Sequence, residues 1–276
     1  MREEWKAAAY ADLRVRFPAI WDAAFAEKGE HTFTLFGPSC YVLDADGSRV
    51  VIDPCLRFPW MTDQIAARIR NDFARVDAVV LTHAHEDHFD TTLLSMLRNC
   101  PVPIVVPEFF TPEQLTSTSL PDTRFIRVRA GERIRLGRFI FTAYRSAHFR
   151  LSGSGIDEMG YLIETSRQRM LFPCDVRDYN PAKLPPVGEV DTLFLHVWLG
   201  TANALNLPCE PFLSDTVRFV LATGARQVVL AHLMELARTL PELWTYTHAG
   251  LIADALIAAR PDINILLPRL GVRLTL

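Results

Sequence analysis

Cysteine is scarce in this sequence, and the apolar runs that mark export or membrane insertion are missing. The 276 residues include five cysteines, an odd number, at scattered positions and without CxxC spacing. This usage argues against a disulfide framework and favours a reducing compartment. The first ten residues, MREEWKAAAY, carry acidic side chains and no continuous apolar stretch, so neither a signal peptide nor a membrane span is expected. The sequence therefore predicts a cytoplasmic protein without a membrane partner.

The chain also lacks an excess of charge of either sign. Its 29 basic and 32 acidic side chains leave a formal net charge of −3, which gives no general attraction to polynucleotides or anionic membranes. Arginine is frequent in RFIRVRAGERIRLGR, but it alternates there with apolar residues, as on the solvent-exposed face of strands. A nucleic-acid partner is therefore not expected, and a small-molecule substrate is.

The composition is that of a globular protein with a large core. Apolar residues make up 49% of the chain and charged residues 22%. No linker rich in glycine, serine or proline divides the sequence, and its two halves share a rhythm of strands followed by a strand–helix–strand passage. We therefore expect one layered α/β domain over residues 1–276, with an N-terminal helical extension to about residue 30. The predicted fold class is a four-layer αββα sandwich of two mixed β-sheets flanked by helices.

Aromatic residues are concentrated in the N-terminal extension, at Trp5, Tyr10 and Trp21. Packing onto their own domain is the preferred interpretation. Packing onto a partner subunit is the alternative, so the sequence is compatible with a homo-oligomer.

The segment THAHEDH follows the apolar run VDAVVL. His83 and His85 are two residues apart, so in an extended segment they project from the same side. Asp87 and His88 come next, where the chain leaves the strand and can direct them to a second point nearby. Imidazole and carboxylate are ligands of zinc and similar metals, and one short segment can thus serve two ions. The alternative is a polar loop in which Asp87 is the N-cap of the next helix.

This HxHxDH pattern resembles the signature of the metallo-β-lactamase superfamily of metal-dependent hydrolases. Further candidate ligands follow apolar runs in the order of that family, and the resemblance extends roughly from Thr34 to the C-terminus. It implies two divalent metal ions, with the following ligands: His83, His85 and His148 for one ion, Asp87, His88 and His232 for the other, and Asp175 bridging both. Asp53, in VVIDP, matches an acidic residue that the family places near the metals without direct ligation.

Several details compare this sequence with individual branches of that family. Cys174 stands where the family usually has a glycine before the bridging aspartate, and we interpret it as a small buried residue near the ligands. True β-lactamases of the family generally have arginine, cysteine or another residue where this chain has His88. The flavodiiron oxidoreductases have glutamate where this chain has His85. The passages TLFGPSCYVLDADGSRVVIDP and GYLIETSRQRMLFPCD are similar to the ascorbate-phosphate lactonase-like branch.

The resemblance implies a binuclear metal-dependent hydrolase whose metal-bridging hydroxide cleaves a small ester, lactone or phosphodiester, including anionic ones. Asp87 would orient the hydroxide or accept its proton, and His196 would protonate the leaving group or bind an anion. For His196 the alternative is a structural role at a strand end. Zinc is the expected metal, and manganese and iron are compatible with the ligands. A metal-dependent oxidoreductase or sulfur-transfer relative, and a tRNA-processing-type phosphodiesterase, are the alternative functions.

Three loops carry candidate substrate-binding residues, namely CLRFPW, HFRLSGSGIDE and WLGTANALNLPCEP. Their arginines and tryptophans can clamp an anion or stack on a ring. The candidates are Arg57, Trp60, Arg150 and Trp198. Ordinary loop packing is the alternative for each of them.

Overall fold

The computed structural model describes residues 2–56, 62–148 and 155–276, which form six α-helices and fourteen β-strands. The helices are α1 (Arg2–Ala24), α2 (Asp63–Phe73), α3 (Thr91–Met96), α4 (Pro112–Thr116), α5 (Phe212–Ala222) and α6 (Tyr246–Ala259). The strands of the first half are β1 (Thr32–Gly37), β2 (Cys40–Ala45), β3 (Ser48–Ile52), β4 (Ala78–Val80), β5 (Ile104–Pro107) and β6 (Phe125–Val128). The remaining strands are β7 (Arg133–Leu136), β8 (Phe139–Arg145), β9 (Met159–Glu164), β10 (Arg169–Phe172), β11 (Thr192–His196), β12 (Gln227–Ala231), β13 (Asn264–Leu266) and β14 (Arg273–Thr275).

The strands form two mixed sheets of seven strands each. Sheet 1 has the order β14-β1-β2-β3-β4-β5-β6, and sheet 2 has the order β13-β12-β11-β10-β9-β8-β7. Pairing in sheet 1 is antiparallel from β14 to β3 and parallel from β3 to β6. Pairing in sheet 2 is antiparallel from β7 to β10 and parallel from β10 to β13. Each sheet therefore combines an antiparallel part with a parallel part. This repeated arrangement accounts for the rhythm of elements that the two halves of the sequence share.

Apolar side chains fill three interfaces between four layers. The central cluster lies between the sheets and includes Phe33, Phe141 and Phe194. A second cluster joins sheet 1 to α1, α2 and α3, and a third joins sheet 2 to α5 and α6. Strands such as β1 and β11 are buried along their whole length, because each sheet is covered on both faces. The predicted αββα fold class is confirmed.

The N-terminal helix packs onto this chain's own sheet 1 through its second half. Trp21 is 1% exposed, and its ring lies against Phe25, Phe36 and Phe73. The indole Nε1 of Trp21 donates a hydrogen bond of 2.7 Å to Asp72 of α2. Trp5, nearer the start of the helix, is 41% exposed. Across the part of the chain that the structure describes, no helix is both long and apolar enough to span a membrane.

One helix of the structure has no counterpart in the sequence pattern. α4 begins with a reciprocal capping box, in which Thr111 Oγ1 accepts from the Gln114 backbone N–H and Gln114 Oε1 accepts from the Thr111 N–H. It has five residues, which is too short to display an apolar helical period.

Candidate metal centre

The candidate ligands come from several strand ends that meet at one edge of the two sheets. The segment with His83 follows β4, and the segment with Asp175 follows β10. His232 comes directly after β12, which is parallel to β11 and lies next to it. Because β10, β11 and β12 run in parallel, their carboxyl ends lie side by side. This arrangement turns distant stretches of sequence into one compact cluster.

One half of the cluster contains three histidines and Asp175. The ligand atoms of His83, His85, His148 and Asp175 all lie within 4.8 Å of one another. His83 Nε2 is 3.0 Å from His85 Nδ1, and the ring of His148 is 5.2 Å from that of His83 and 4.9 Å from that of His85. The structure thus brings together the residues predicted to hold the first metal.

The other half surrounds the same aspartate. His88 Nε2 is 3.6 Å and His232 Nδ1 is 4.0 Å from Asp175 Oδ1. Asp87 lies at the border of this half, with its Oδ2 3.4 Å from His232 Nε2 and 3.9 Å from His88 Nε2. Asp175 therefore belongs to both halves, which is the position that a bridging carboxylate requires.

Asp87 also has partners that the sequence does not predict. Arg238 donates a hydrogen bond of 2.7 Å to Asp87 Oδ2 and another of 2.5 Å to Glu235. Glu235 also belongs to a further group of possible metal ligands, whose ligand atoms lie within 4.8 Å of one another; the other members are Asp87 and His232. Asp87 is not the N-cap of α3, because Asp90 takes that position and accepts from the Leu93 N–H at 2.9 Å. The interpretation of Asp87 as a helix cap is therefore wrong.

The donor set fits divalent metal ions of the zinc type. In the part of the chain that the structure describes, four buried ring nitrogens have no hydrogen-bond partner: His88 Nε2, His148 Nδ1, His148 Nε2 and His232 Nε2. A buried polar atom left without a partner costs about 1–3 kcal/mol, and a metal ion would satisfy such nitrogens. Imidazole nitrogen and carboxylate oxygen are the ligands that these metals take in catalytic sites.

Asp53 orients the histidine of the second half. Its Oδ2 accepts hydrogen bonds from His88 Nδ1 at 2.8 Å and from Thr82 Oγ1 at 2.6 Å, and its Oδ1 accepts from the Thr82 backbone N–H at 2.8 Å. A carboxylate that holds one ring nitrogen of a histidine leaves the other available to a metal. The geometry matches the role that the family resemblance implies for Asp53.

Cys174 lies behind the cluster. Its sulfur is fully buried, 3.1 Å from Thr82 Oγ1 and 3.8 Å from His88 Nδ1. The backbone of Cys174 has a φ of 60°, a left-handed conformation that glycine adopts at lower cost. This conformation explains why a glycine suits the position in the family.

Glu158 is part of the site, although sequence reasoning missed it. Its Oε2 accepts a hydrogen bond of 3.1 Å from the Asp175 backbone N–H and lies 3.2 Å from His83 Nδ1. Burial raises the pKa of Glu158 well above its usual value, and the charge of Asp175 adds to this effect. Glu158 precedes β9 outside any recognisable motif, so no signal in the sequence marks it.

The electrostatics of the cluster favour the protonation states that bind metals. Burial lowers the pKa of His83 and His85, and lowers that of His148 to about 4. Burial opposes ionisation of Asp175, but the charges of His232 and His88 outweigh it and hold the pKa of Asp175 well below its ordinary value. Neutral imidazoles and ionised carboxylates are the forms that ligate metals.

His88 differs from the other histidines. Burial disfavours its charged form, but the carboxylates of Asp175, Asp87 and Asp53 outweigh burial and raise the pKa of His88 to about 10. A metal ion that binds a ring nitrogen of His88 must therefore displace a proton, so metal binding at the second half is linked to proton release.

His196 is enclosed by the protein. Its Nδ1 donates a hydrogen bond of 2.7 Å to Asp175 Oδ1, its Nε2 is hydrogen-bonded to Tyr41 Oη at 2.8 Å, and it is 1% exposed. The ring stacks on that of His232 with a centroid distance of 4.8 Å. Burial lowers the pKa of His196 to about 4. Both ring nitrogens of His196 thus have partners within the chain.

The candidate substrate-binding residues have different outcomes. Trp198 is buried, its carbonyl accepts a hydrogen bond of 2.8 Å from Tyr179, and its indole lies beneath the guanidinium of Arg177. These contacts are those that the packing alternative predicts for Trp198, and its part in substrate binding stays a prediction. The other three candidates lie outside the described residues: Arg57, Trp60 and Arg150.

Comparisons with known proteins identify the family of this chain. The profile of the Beta-lactamase superfamily domain matches residues 48–233 of this chain. A UPF0173 protein of Pyrococcus furiosus is 26% identical in an alignment of 168 residues that covers 58% of this chain and 67% of that protein. Residues 48–233, the range of the profile match, contain the HxHxDH segment and every candidate ligand that follows it.

Solved structures share the fold. CmlA, a diiron β-hydroxylase from Streptomyces venezuelae, superposes with a TM-score of 0.62 at 20% identity; the match covers 90% of this chain but 54%, about half, of CmlA. Igni18, a metallo hydrolase from Ignicoccus hospitalis, superposes with a TM-score of 0.61 at 16% identity and covers 88% of this chain and 97% of Igni18. At these identities the matches show the fold alone. Together with the profile match they confirm the predicted resemblance: the chain belongs to the beta-lactamase superfamily and has the fold of its metal-dependent hydrolases.

Proposed function

We propose that this protein hydrolyses a small ester, lactone or phosphodiester with two divalent metal ions. The observation that supports the proposal is the pair of ligand groups that share Asp175, with buried histidine nitrogens in both groups that lack a partner among the described residues. A purely structural zinc site is closed and needs only four ligands. A shared carboxylate between two histidine groups instead suits a two-metal hydrolytic centre.

The assignment of ligands is the one that the family resemblance implies. The second group that shares Asp175 contains His196 beside His88 and His232, and Asp87 lies in an adjoining group with His232 and Glu235. The first ion would be held by His83, His85 and His148, the second by Asp87, His88 and His232, and Asp175 would contact both. Bound divalent ions lower the pKa of water and stabilise negative charge on a carbonyl or phosphoryl oxygen. Zinc is our proposed metal, because imidazole and carboxylate ligands suit it, although they also accommodate manganese and iron.

Asp87 would orient the water that attacks the substrate. Burial favours its neutral form, but the charge of His88 and the contact with His232 outweigh burial and hold the pKa of Asp87 well below its usual value. A carboxylate with such a low pKa is a weak proton acceptor and a good hydrogen-bond acceptor. Of the two roles expected for Asp87, we therefore favour orientation over proton abstraction.

His196 would position Asp175 and would not protonate the leaving group. Its hydrogen bonds to Asp175 and Tyr41 occupy both ring nitrogens. A general acid needs a proton within hydrogen-bond reach of the leaving atom. A ring held at both ends is instead suited to fixing the direction of the Asp175 carboxylate.

Metal analysis combined with turnover tests the proposal. The protein, loaded with zinc, manganese or iron, is assayed for bound metal and for hydrolysis of bis-p-nitrophenyl phosphate, a p-nitrophenyl ester and a small lactone. We expect two ions per chain and turnover of at least one substrate. Asp175→Ala should lose metal and activity together. Asp178→Ala is the matched control, because Asp178 lies in the same loop but pairs with Lys183 at 2.6 Å.

Two results would contradict the proposal. A fully metallated protein that cleaves none of the three substrates would speak against a generic hydrolase, and unchanged metal content in Asp175→Ala would refute the bridging role. Retention of iron with oxygen consumption and no hydrolysis would support the oxidoreductase alternative.

A further inference from the structure

Arg177 is a nearly buried cation at the edge of the candidate metal centre. It follows Asp175 by two residues, and its side chain is 9% exposed. Its Nη2 donates a hydrogen bond of 3.2 Å to Asp175 Oδ2, and its backbone N–H donates to the Ala147 carbonyl at 2.9 Å. These contacts hold the Arg177 backbone against Ala147, which precedes His148, and its guanidinium on the oxygen of Asp175 that His196 does not occupy.

The indole of Trp198 forms a platform for the guanidinium. The Arg177 Cζ lies 4.8 Å from the ring centroid of Trp198, within the range of a cation–π contact. Trp198 is itself held by Phe212, whose ring meets it edge-on at 5.2 Å. The guanidinium of Arg177 thus lies against a ring that is itself packed in place.

The charge of Arg177 has little compensation. Among the described residues, Asp175 is the only carboxylate within ion-pair distance of Arg177. Arg238, at the opposite side of the centre, pairs with two carboxylates, Asp87 and Glu235. If Asp175 held divalent ions, it would share its negative charge with them. Arg177 would then be a nearly buried cation without a full counter-charge, which is energetically unfavourable.

We propose that Arg177, supported by Trp198, binds an oxyanion of the substrate, a carboxylate or a phosphate oxygen, next to the bond that is cleaved. The inference rests on the proposed hydrolase function and narrows its substrate to an anionic class. The planar fork of a guanidinium matches the geometry of carboxylate and phosphate, and a stacked arginine loses little freedom when it binds one. The hydrogen bond to Asp175 uses Nη2 of Arg177, and the guanidinium has further N–H donors for the ligand.

A matched pair of esters tests the specificity. p-Nitrophenyl butyrate and mono-p-nitrophenyl succinate differ only in that a terminal methyl group is replaced by a carboxylate. The metal-loaded wild type should prefer the succinate ester. Arg177→Met should raise the KM for the succinate ester by about 10- to 100-fold, the range of a charge-assisted hydrogen bond, with a smaller change in kcat and little change for the butyrate ester. Arg177→Lys should lie between the two, because it keeps the charge and loses the planar fork.

Direct binding provides a readout that does not depend on turnover. Calorimetric titration of the metal-loaded protein with inorganic phosphate and with succinate should show at least tenfold weaker binding in Arg177→Met, and the more affected anion identifies the preferred oxyanion. Arg145→Met is the control, because Arg145 is an exposed arginine at the end of β8 that pairs with Asp157 and Glu108. It should leave both titrations unchanged.

The outcomes separate the two proposals. Loss of bound metal in both Arg177→Met and Arg177→Lys would show that Arg177 only positions Asp175, and equal losses on both esters would likewise refute the anion site. If phosphate binding depends on Arg177 while no ester, lactone or phosphodiester is cleaved, the anion site is retained and the hydrolase function is contradicted.

Discussion

Replacing Asp53 by asparagine should weaken metal binding by about 10- to 100-fold while the fold is retained. Asp53 is not one of the proposed metal ligands, but it accepts from His88 Nδ1 at 2.8 Å and from Thr82 Oγ1 at 2.6 Å. The first of these bonds keeps the proton of a neutral His88 on Nδ1. Its Nε2 lone pair then faces Asp175 and the second half of the centre.

Asparagine cannot reproduce this pattern in either orientation of its amide. If the amide NH₂ replaces Oδ2, a donor faces His88 Nδ1 and favours the tautomer that carries its proton on Nε2, where the metal would bind. If the NH₂ replaces Oδ1, it faces the Thr82 backbone N–H, which now donates to Asp53 at 2.8 Å. Loss of such an orienting partner typically reduces metal affinity about 10- to 100-fold, which corresponds to about 1.4–2.8 kcal/mol.

Competition with a chromogenic zinc chelator measures this change directly. We expect one weakened site per chain in Asp53→Asn and an unchanged far-ultraviolet circular dichroism spectrum. Asp90→Asn is the control, because Asp90 is similarly buried and its carboxylate accepts from the Leu56 and Leu93 N–H groups at 2.8 and 2.9 Å without contacting a candidate ligand. It should lose stability and keep its metal affinity. Wild-type affinity at both sites in Asp53→Asn would refute the reasoning.

Three further predictions concern the metal, the core and His196. Removal of metal by a chelator should lower Tm by roughly 5–10 °C, because saturating metal adds about 3 kcal/mol of stability at a hundredfold excess over Kd, and calorimetry showing an unchanged Tm would contradict the metal centre. Trp21→Ala should destabilise the protein by about 3–5 kcal/mol in urea unfolding, whereas Trp5→Ala should change stability by less than about 0.5 kcal/mol; equal effects would show that the helix does not pack as described. His196→Ala should slow hydrolysis of esters with good and poor leaving groups by the same factor, and a larger loss for the poor leaving group would restore the proton-donor role.

Strand ends were the predictable part of the candidate site. The segments before His83, Asp175 and His232 are short apolar runs, and the structure buries β4 and most of β10 and β12 within the layers. A strand covered on both faces has no polar positions of its own. Ionisable residues just beyond such a strand therefore stand out in the sequence, and the resemblance to the metallo-β-lactamase family was the reason to expect that they meet.

Contacts between side chains from different strands were not predictable. Glu158 reaches the Asp175 backbone from the start of β9, and Tyr41 reaches His196 across the interface between the two sheets. Arg238 approaches Asp87 from 151 residues away. Each contact depends on sheet order and register, which periodicity in a single sequence does not encode.

Backbone strain at the centre was also invisible in the sequence. Asp53, Cys174 and His232 have φ values of 45°, 60° and 62°, and all three follow a strand closely. A left-handed conformation costs a residue other than glycine about 1–2 kcal/mol. The sharp bends turn the chain away from the strand direction at the points where side chains must enter the centre. Strain of this kind persists only where the surrounding structure enforces it.

Asp175 shows how the layers and the chemistry are connected. Its Oδ1 accepts from His196 at the end of β11, its Oδ2 accepts from Arg177, and its backbone N–H donates to Glu158 beside β9. Two side chains thus hold the carboxylate of Asp175, and a third holds its backbone. Because these partners share one residue, their substitutions should not be additive. The contacts at the ends of neighbouring strands of sheet 2 therefore orient the carboxylate that we propose as the bridge between the two metal positions.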